Sequence, residues 1–170
     1  LYYIEAFAIG DFNNDGSDGM VVGYVKNSSL SVVVDVFYNA QGSLSLTNVL
    51  NGTFGSLTDI AVGDITGDGL QDIAMAGYSN LWVKNLAGAN FSDYKTISSA
   101  SSDYGRILLM DYDNDSDMEL VNLDNSGTLQ TYDIDPISTW TYSPQVIMTG
   151  LPSSTELWKK VNKDGSDRIL

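Results

Sequence analysis

The sequence predicts an all-β chain made from a repeated unit of four antiparallel strands. Three observations carry this. An Asp/Asn/Gly-rich loop recurs with its first position at Asp11, Asp64, Asp111 and Lys160, in steps of 53, 47 and 49 residues. Each loop is bracketed by short apolar runs of strand-forming residues, the pattern of a strand pair joined by a turn. Between loops lie further short strand-like runs, and no stretch shows a helical period of useful length. Four strands in a repeat of roughly 50 residues is the size of a propeller blade, whereas β-solenoid repeats are much shorter.

The first loop, Asp11–Gly19, follows Ala8-Ile9 and precedes Met20-Val21-Val22. Leu30–Tyr38 is rich in Val and aromatics, Asn39-Ala40-Gln41-Gly42 reads as a turn, and Ser43–Leu50 alternates as a strand does. These make a first blade over about residues 1–53. The second, about 54–100, holds the loop Asp64–Asp72 between Ala61-Val62 and Ile73-Ala74-Met75, then Leu81–Asn85 and Phe91–Ile97. The third, about 101–150, holds Asp111–Glu119 between Leu108-Leu109-Met110 and Leu120-Val121, then Thr128–Asp133, Pro136 and Trp140–Met148. A partial fourth blade, about 151–170, holds Lys160–Arg168 between Leu157-Trp158 and Ile169-Leu170. The whole chain, 1–170, is one repeat region of about three and a half blades. Open edge strands invite pairing. The expectation is therefore a chain that is part of a larger ring, or copies that assemble to cover the edges.

The loops carry the chemistry. In the second, Asp64, Thr66, Asp68 and Asp72 fall at positions 1, 3, 5 and 9, with Gly69 at position 6. Oxygen side chains at alternate positions converge on one side of a tight curl, and glycine permits the sharp turn. Hard oxygen ligands, several of them anionic, suit Ca²⁺ better than a transition metal. A helix-loop-helix calcium site would need a bidentate Glu at position 12, where Met75 stands in an apolar, strand-compatible run. In the first loop Asp11, Asn13 and Asp15 hold positions 1, 3 and 5, Gly19 takes position 9, and Asp18 sits one place early. The third offers Asp111, Asp113, Asp115 and Glu119, with Ser116 where glycine is expected. Two to three Ca²⁺ ions are expected across these loops. In the fourth, Lys160 and Arg168 replace the first and last acids and would repel a metal, so no ion is expected there. The bland reading of every loop is Asp/Asn/Gly turn chemistry without metal.

Phe54-Gly55, then Gly63-Asp64-x-x-Gly67-Asp68-Gly69-x-x-Asp72, then Ala76-Gly77 resembles the FG-GAP (VCBS-type) repeat. That repeat is the blade unit of the integrin α-subunit β-propeller and of its bacterial and fungal relatives. The terminal Gly-Ala-Pro of the family name is not reproduced, since Ala76-Gly77-Tyr78 stands there. The resemblance implies a ring of about seven blades. It also implies a ligand face opposite the calcium loops.

Composition excludes other classes. A net charge of -14 is against a nucleic-acid partner. Half of the 22 acids lie in the first three loops, where a scattered solubilising surface would not place them. With no Cys and no His, disulfide scaffolds, Cys/His zinc sites and His-based triads are out. No apolar run is long enough to span a membrane in this segment. The chain begins at Leu1 without a signal peptide, which fits a processed or excised piece.

Asn27, Asn51, Asn90 and Asn114 lie in Asn-x-Ser/Thr sequons. Asn114 is inside a metal loop and is a poor acceptor; Asn27, Asn51 and Asn90 remain as glycosylation candidates, with Asn27 and Asn51 in predicted turns. Phe37, Tyr38, Trp82 and Tyr132 sit in strand patterns and are expected to pack inside or between blades. The expected function is non-catalytic: a Ca²⁺-stabilised extracellular scaffold for adhesion, protein binding or assembly of a surface structure. A glycan-binding, lectin-like propeller is the alternative. The propeller domain of a polysaccharide-degrading enzyme is a third reading, weakened because the visible carboxylates are committed to loops. The expected partners are a protein or glycan ligand, and further blades of the same chain or other copies.

Overall fold

The computed structural model describes residues 2–26, 32–40, 42–54, 56–78, 80–84, 95–99, 104–113, 118–134, 144–152, 159–161 and 167–169. The described residues are all-β, without a helix. Strands β1 (Tyr2–Gly10), β2 (Gly19–Lys26), β3 (Val32–Ala40) and β4 (Ser43–Phe54) form the first sheet, paired in chain order. The second consists of β5 (Leu57–Gly63), β6 (Asp72–Gly77), β7 (Asn80–Lys84) and β8 (Lys95–Ser99). The third consists of β9 (Tyr104–Met110), β10 (Glu119–Asp124), β11 (Leu129–Tyr132) and β12 (Gln145–Met148). A hairpin of β13 (Lys159–Val161) and β14 (Asp167–Ile169) follows. Every pairing is antiparallel.

The sheets stack face to face, with first strands β1, β5 and β9 side by side. Val21, Val32, Val34 and Val36 of the first sheet bury against Ile60, Ile73, Met75 and Trp82 of the second. Ala74, Ala76, Leu81 and Val83 of the second bury against Ile107, Leu109, Leu120 and Tyr132 of the third. Both faces of β6 and β10 are therefore buried, unlike a sheet with one wet face. Each fully buried Leu or Ile contributes about 1.5–3 kcal/mol. Trp82 and Tyr132 are buried in these inter-sheet layers, while Phe37 and Tyr38 are half-buried.

The repeat extends to irregularities. A β-bulge falls at Glu5 in β1, Thr58 in β5 and Gly105 in β9, each six residues before the first acid of the following loop. A second shared device is a notch beside the loop. A Cβ on Gly10 would lie 2.8 Å from Val62 Cγ1, and one on Gly63 would lie 2.9 Å from Met118 Sδ. In each junction the bare backbone lets the next sheet's loop end press against the strand. At the second junction the Asp59 carboxylate on β5 accepts the Ile107 N–H of β9 at 3.1 Å.

Two expectations need correction. Asn51 lies inside β4, not in a turn. Register shifts along β3–β4 absorb extra residues, so pairing continues to Val32–Phe54 beyond the Asn51-Gly52 turn signal. For the same reason Phe54 ends the first sheet instead of opening the second. Asn27, Asn90 and Asn114 lie outside the described residues, as do Phe91–Tyr94, Pro136 and Trp140.

Candidate metal centre

The loops sit at equivalent places, between the first and second strand of each sheet. The pairs Gly10–Gly19, Gly63–Asp72 and Met110–Glu119 each close an eight-residue connection. The first two connections share one set of hydrogen bonds. Asp11 accepts the N–H groups of Asp15 at 3.1 Å and Gly16 at 2.7 Å. Asp64 accepts those of Asp68 at 3.1 Å and Gly69 at 2.8 Å. Asp15 then accepts from Ser17, and Asp68 from Leu70, both at 2.9 Å. The left-handed positions also coincide: Asn14 (φ 55°) with Gly67 (66°), and Gly16 with Gly69 (both 84°). The acids at positions 1 and 5 thus fold the loop by gathering backbone donors. Each carboxylate oxygen carries two lone pairs, so a donated N–H does not prevent an oxygen from ligating a cation.

Position 9 separates the loops. Asp72 is fully buried, and its Oδ2 accepts the N–H groups of Ile65 and Thr66, both at 3.1 Å. Two backbone donors offset the cost of burying its charge. In the third loop Glu119 is buried and accepts the Tyr112 N–H, the position-2 donor that Ile65 supplies in the second. The first loop has Gly19 there, and a Cβ at that position would lie 2.4 Å from the Phe37 carbonyl oxygen and 3.1 Å from the Phe12 ring. Phe12 occupies position 2 and is buried in the first inter-sheet layer, 6.3 Å from the Tyr38 ring. An aromatic anchor has taken the space of the missing acid.

Asp111, Asp113 and Glu119 each place one carboxylate oxygen within 4.8 Å of the other two. Asp111 is half-buried, Asp113 exposed and Glu119 buried. This cluster could hold a metal ion. Its donors are hard anionic oxygens, which fit Ca²⁺ and not a thiophilic or imidazole-seeking metal. Among the described residues, the acids of the Asp11 and Asp64 loops do not close to that separation. Glu119 is longer than Asp72 by one methylene, and Asp72 is held at the loop base by two backbone donors. Asp115 lies outside the described residues. Thr66 is buried beside Asp72, while Asn13 is exposed and donates to Asp15 at 2.9 Å. That bond uses the amide NH₂ of Asn13, and its Oδ1 is the atom that could ligate a cation.

The hairpin at Lys160–Arg168 is built differently. Strand pairing runs on through Lys160–Arg168 to Val161–Asp167, leaving a five-residue connection in place of eight. Position 1 is Lys160, which has no carboxylate, and the ladder continues through it. Lys160 and Arg168 are paired residues of the two strands in this register. Asp164 lies outside the described residues.

Residues 64–122 match the model of the FG-GAP-like repeat, spanning the second and third loops and running into β10. This segment is an FG-GAP-like repeat. The matched segment holds both loops that keep an acid at position 9, and the Asp111–Asp113–Glu119 cluster with them. No curated protein matches the chain. Among the described residues, no helix is long and apolar enough to cross a membrane.

Proposed function

We propose that the chain is part of a Ca²⁺-stabilised β-propeller that serves outside the cell as a non-catalytic scaffold, presenting a protein- or glycan-binding surface. The carrying observation is the convergence of Asp111, Asp113 and Glu119 within 4.8 Å inside a matched FG-GAP-like repeat. Stacked four-stranded sheets joined through β1, β5 and β9 support blades arranged around an axis. In this reading the blades fall at about 1–53, 54–100, 101–150 and 151–170. The calcium role is structural: an ion neutralises carboxylates that otherwise repel one another across a short loop. Extracellular sites of this kind bind at roughly 10⁻⁴ to 10⁻³ M, useful outside cells and useless in a calcium-poor cytosol.

Thermal unfolding in millimolar Ca²⁺ and in chelator tests this reading. A ligand that binds only the folded state stabilises by RT ln(1 + [L]/Kd), about 2.7 kcal/mol at one hundred times Kd. The expected result is a higher melting temperature with Ca²⁺, lost in Asp111→Ala. Equal melting in both conditions would reduce the loops to turns.

A further inference from the structure

The third sheet changes character at its last strand. β11 is buried at Leu129, Thr131 and Tyr132, whereas β12 beside it is exposed at Gln145, Val146 and Met148. Val146 and Met148 are 59% and 51% exposed, while Ile147 packs inward on the cluster that holds Leu108, Val121 and Leu129. In the order β12-β11-β10-β9, β12 is an end strand of its sheet. An end strand offers a row of backbone N–H and C=O groups to another strand, and proteins commonly block such rows with charged residues. Here no charged residue lies between Asp135 and Glu156, in a chain with a net charge of -14. Pro144 stands just before the strand and Pro152 beyond it, so neither interrupts the row.

The strand is also held in place. Just past β12, Leu151 donates its N–H to the Gly127 carbonyl at 3.0 Å. Gly127 lies in the β10–β11 turn at φ 78°, and a Cβ there would lie 2.0 Å from the Leu151 carbonyl oxygen. Asp124 shapes that turn. Its Oδ1 accepts the N–H groups of Ser126 and Thr128, both at 2.9 Å, and the Ser126 hydroxyl at 2.6 Å. Ile147 and Leu151 pack on the same cluster. An edge fixed in this way loses little freedom when a partner binds.

Shape and charge select the occupant. A bulge at Ile147 breaks the β11–β12 register, and the bend it brings suits a short strand and works against a long flat one. A second copy of the chain would bring another net charge of -14 to the same place. We propose that β12 is a site of β-strand addition. A short extended segment of a partner protein, neutral or basic in net charge, pairs with Gln145–Met148 and lays apolar side chains against Val146 and Met148. The inference rests on the protein-binding half of the function proposed above and is independent of the calcium half.

Random linear peptides displayed on phage and selected on the intact chain supply the probe. Enriched peptides should carry apolar residues at alternate positions. They should lose binding to Val146→Lys with Met148→Lys, a surface change that leaves the melting temperature where it was. Successive N–H groups of a strand point to opposite edges. One enriched peptide is therefore made with N-methyl groups on alternate residues, in the two possible sets; one set should abolish binding and the other should retain it. Undiminished binding to the doubly substituted chain would leave protein binding standing and remove it from β12. Equal binding by the two N-methylated sets would mean an apolar patch without strand pairing. Either result, or the absence of any enriched peptide, overturns the proposal. So does a dimer of the free chain that the double substitution dissolves, since a second copy would then fill the edge.

Discussion

The loops at Asp11 and Asp64 have the same backbone and different acids. Both gather the amides of positions 5 and 6 on their first Asp, and both turn through left-handed residues at positions 4 and 6. Only the second ends in a buried acid, Asp72, which ties positions 2 and 3 to the base of the loop. Shaping the loop and completing its acidic set are therefore separable tasks. Positions 1 and 5 do the first. Position 9 seals the entry and adds the charge that a cation requires. Where Phe12 seals the entry by packing, the terminal acid is absent and the turn survives without it.

The comparison can be broken most forcefully at Asp72. Asp72→Ala strands two buried N–H groups and should cost about 2–4 kcal/mol in chemical denaturation. Asp72→Asn retains an acceptor and should cost less than half of that. The reverse change, Gly19→Asp, should not rescue the first loop. Its Cβ meets the Phe37 carbonyl, so about 1–3 kcal/mol of destabilisation is expected, with no gain in calcium response.

Gly16→Ala and Gly69→Ala sharpen the shared half. Both residues sit at φ 84° with open space around a Cβ. Each substitution should cost about 1–2 kcal/mol, from backbone strain alone. Equal costs in the two loops would show that turn formation is independent of the ninth residue. A much larger cost at Gly69 would couple the turn to Asp72.

A smaller effect distinguishes the junctions. Burial raises the Asp59 carboxyl above its usual range, against the lowering by the Ile107 and Ile60 N–H groups and by Arg106. The folded state therefore holds this proton more tightly than the unfolded state. Asp59 favours folding below the ordinary carboxylate pKa, and that contribution fades as pH rises through the raised value. Asp59→Asn keeps an oxygen for Ile107 and should flatten this slope in stability measured against pH. An unchanged slope would remove Asp59 from the account. The Tyr24 hydroxyl is pushed up to about 12, chiefly by its hydrogen bond to Asp35 with burial adding to it. It supports folding below the normal tyrosine range and loses that support as pH climbs towards the raised value. Tyrosinate absorbance in Asp35→Asn should show one tyrosine titrating earlier.

Much of this was legible from the residues. Asp/Asn/Gly loops at near-even steps between β-compatible runs gave the strand pairs, because alternation and turn chemistry are local. Trp82 and Tyr132 read correctly as inter-sheet packing. What escaped depended on partners distant in sequence. The cap that Asp72 places on Ile65 and Thr66 looks, as a string, like one more ligand. The β4 strand overran Asn51-Gly52 because its bulged register with β3 continued to Val32. The notches at Gly10 and Gly63 are defined by Val62 and Met118 of the next sheet, and the Asp59 tie by Ile107. The tighter Lys160–Arg168 hairpin had a local signal in its missing first acid, which says that the amide-gathering group is gone but not how far the ladder then extends.

The most direct test of the account is calcium titration of the intact chain, by calorimetry, against Glu119→Gln. The substitution keeps an oxygen to accept the Tyr112 N–H and removes one of the three charges that converge with Asp111 and Asp113. The wild-type chain should bind Ca²⁺, and Glu119→Gln should lose the tightest site while remaining folded. Undiminished binding in Glu119→Gln, or no binding by the wild-type chain, would contradict it.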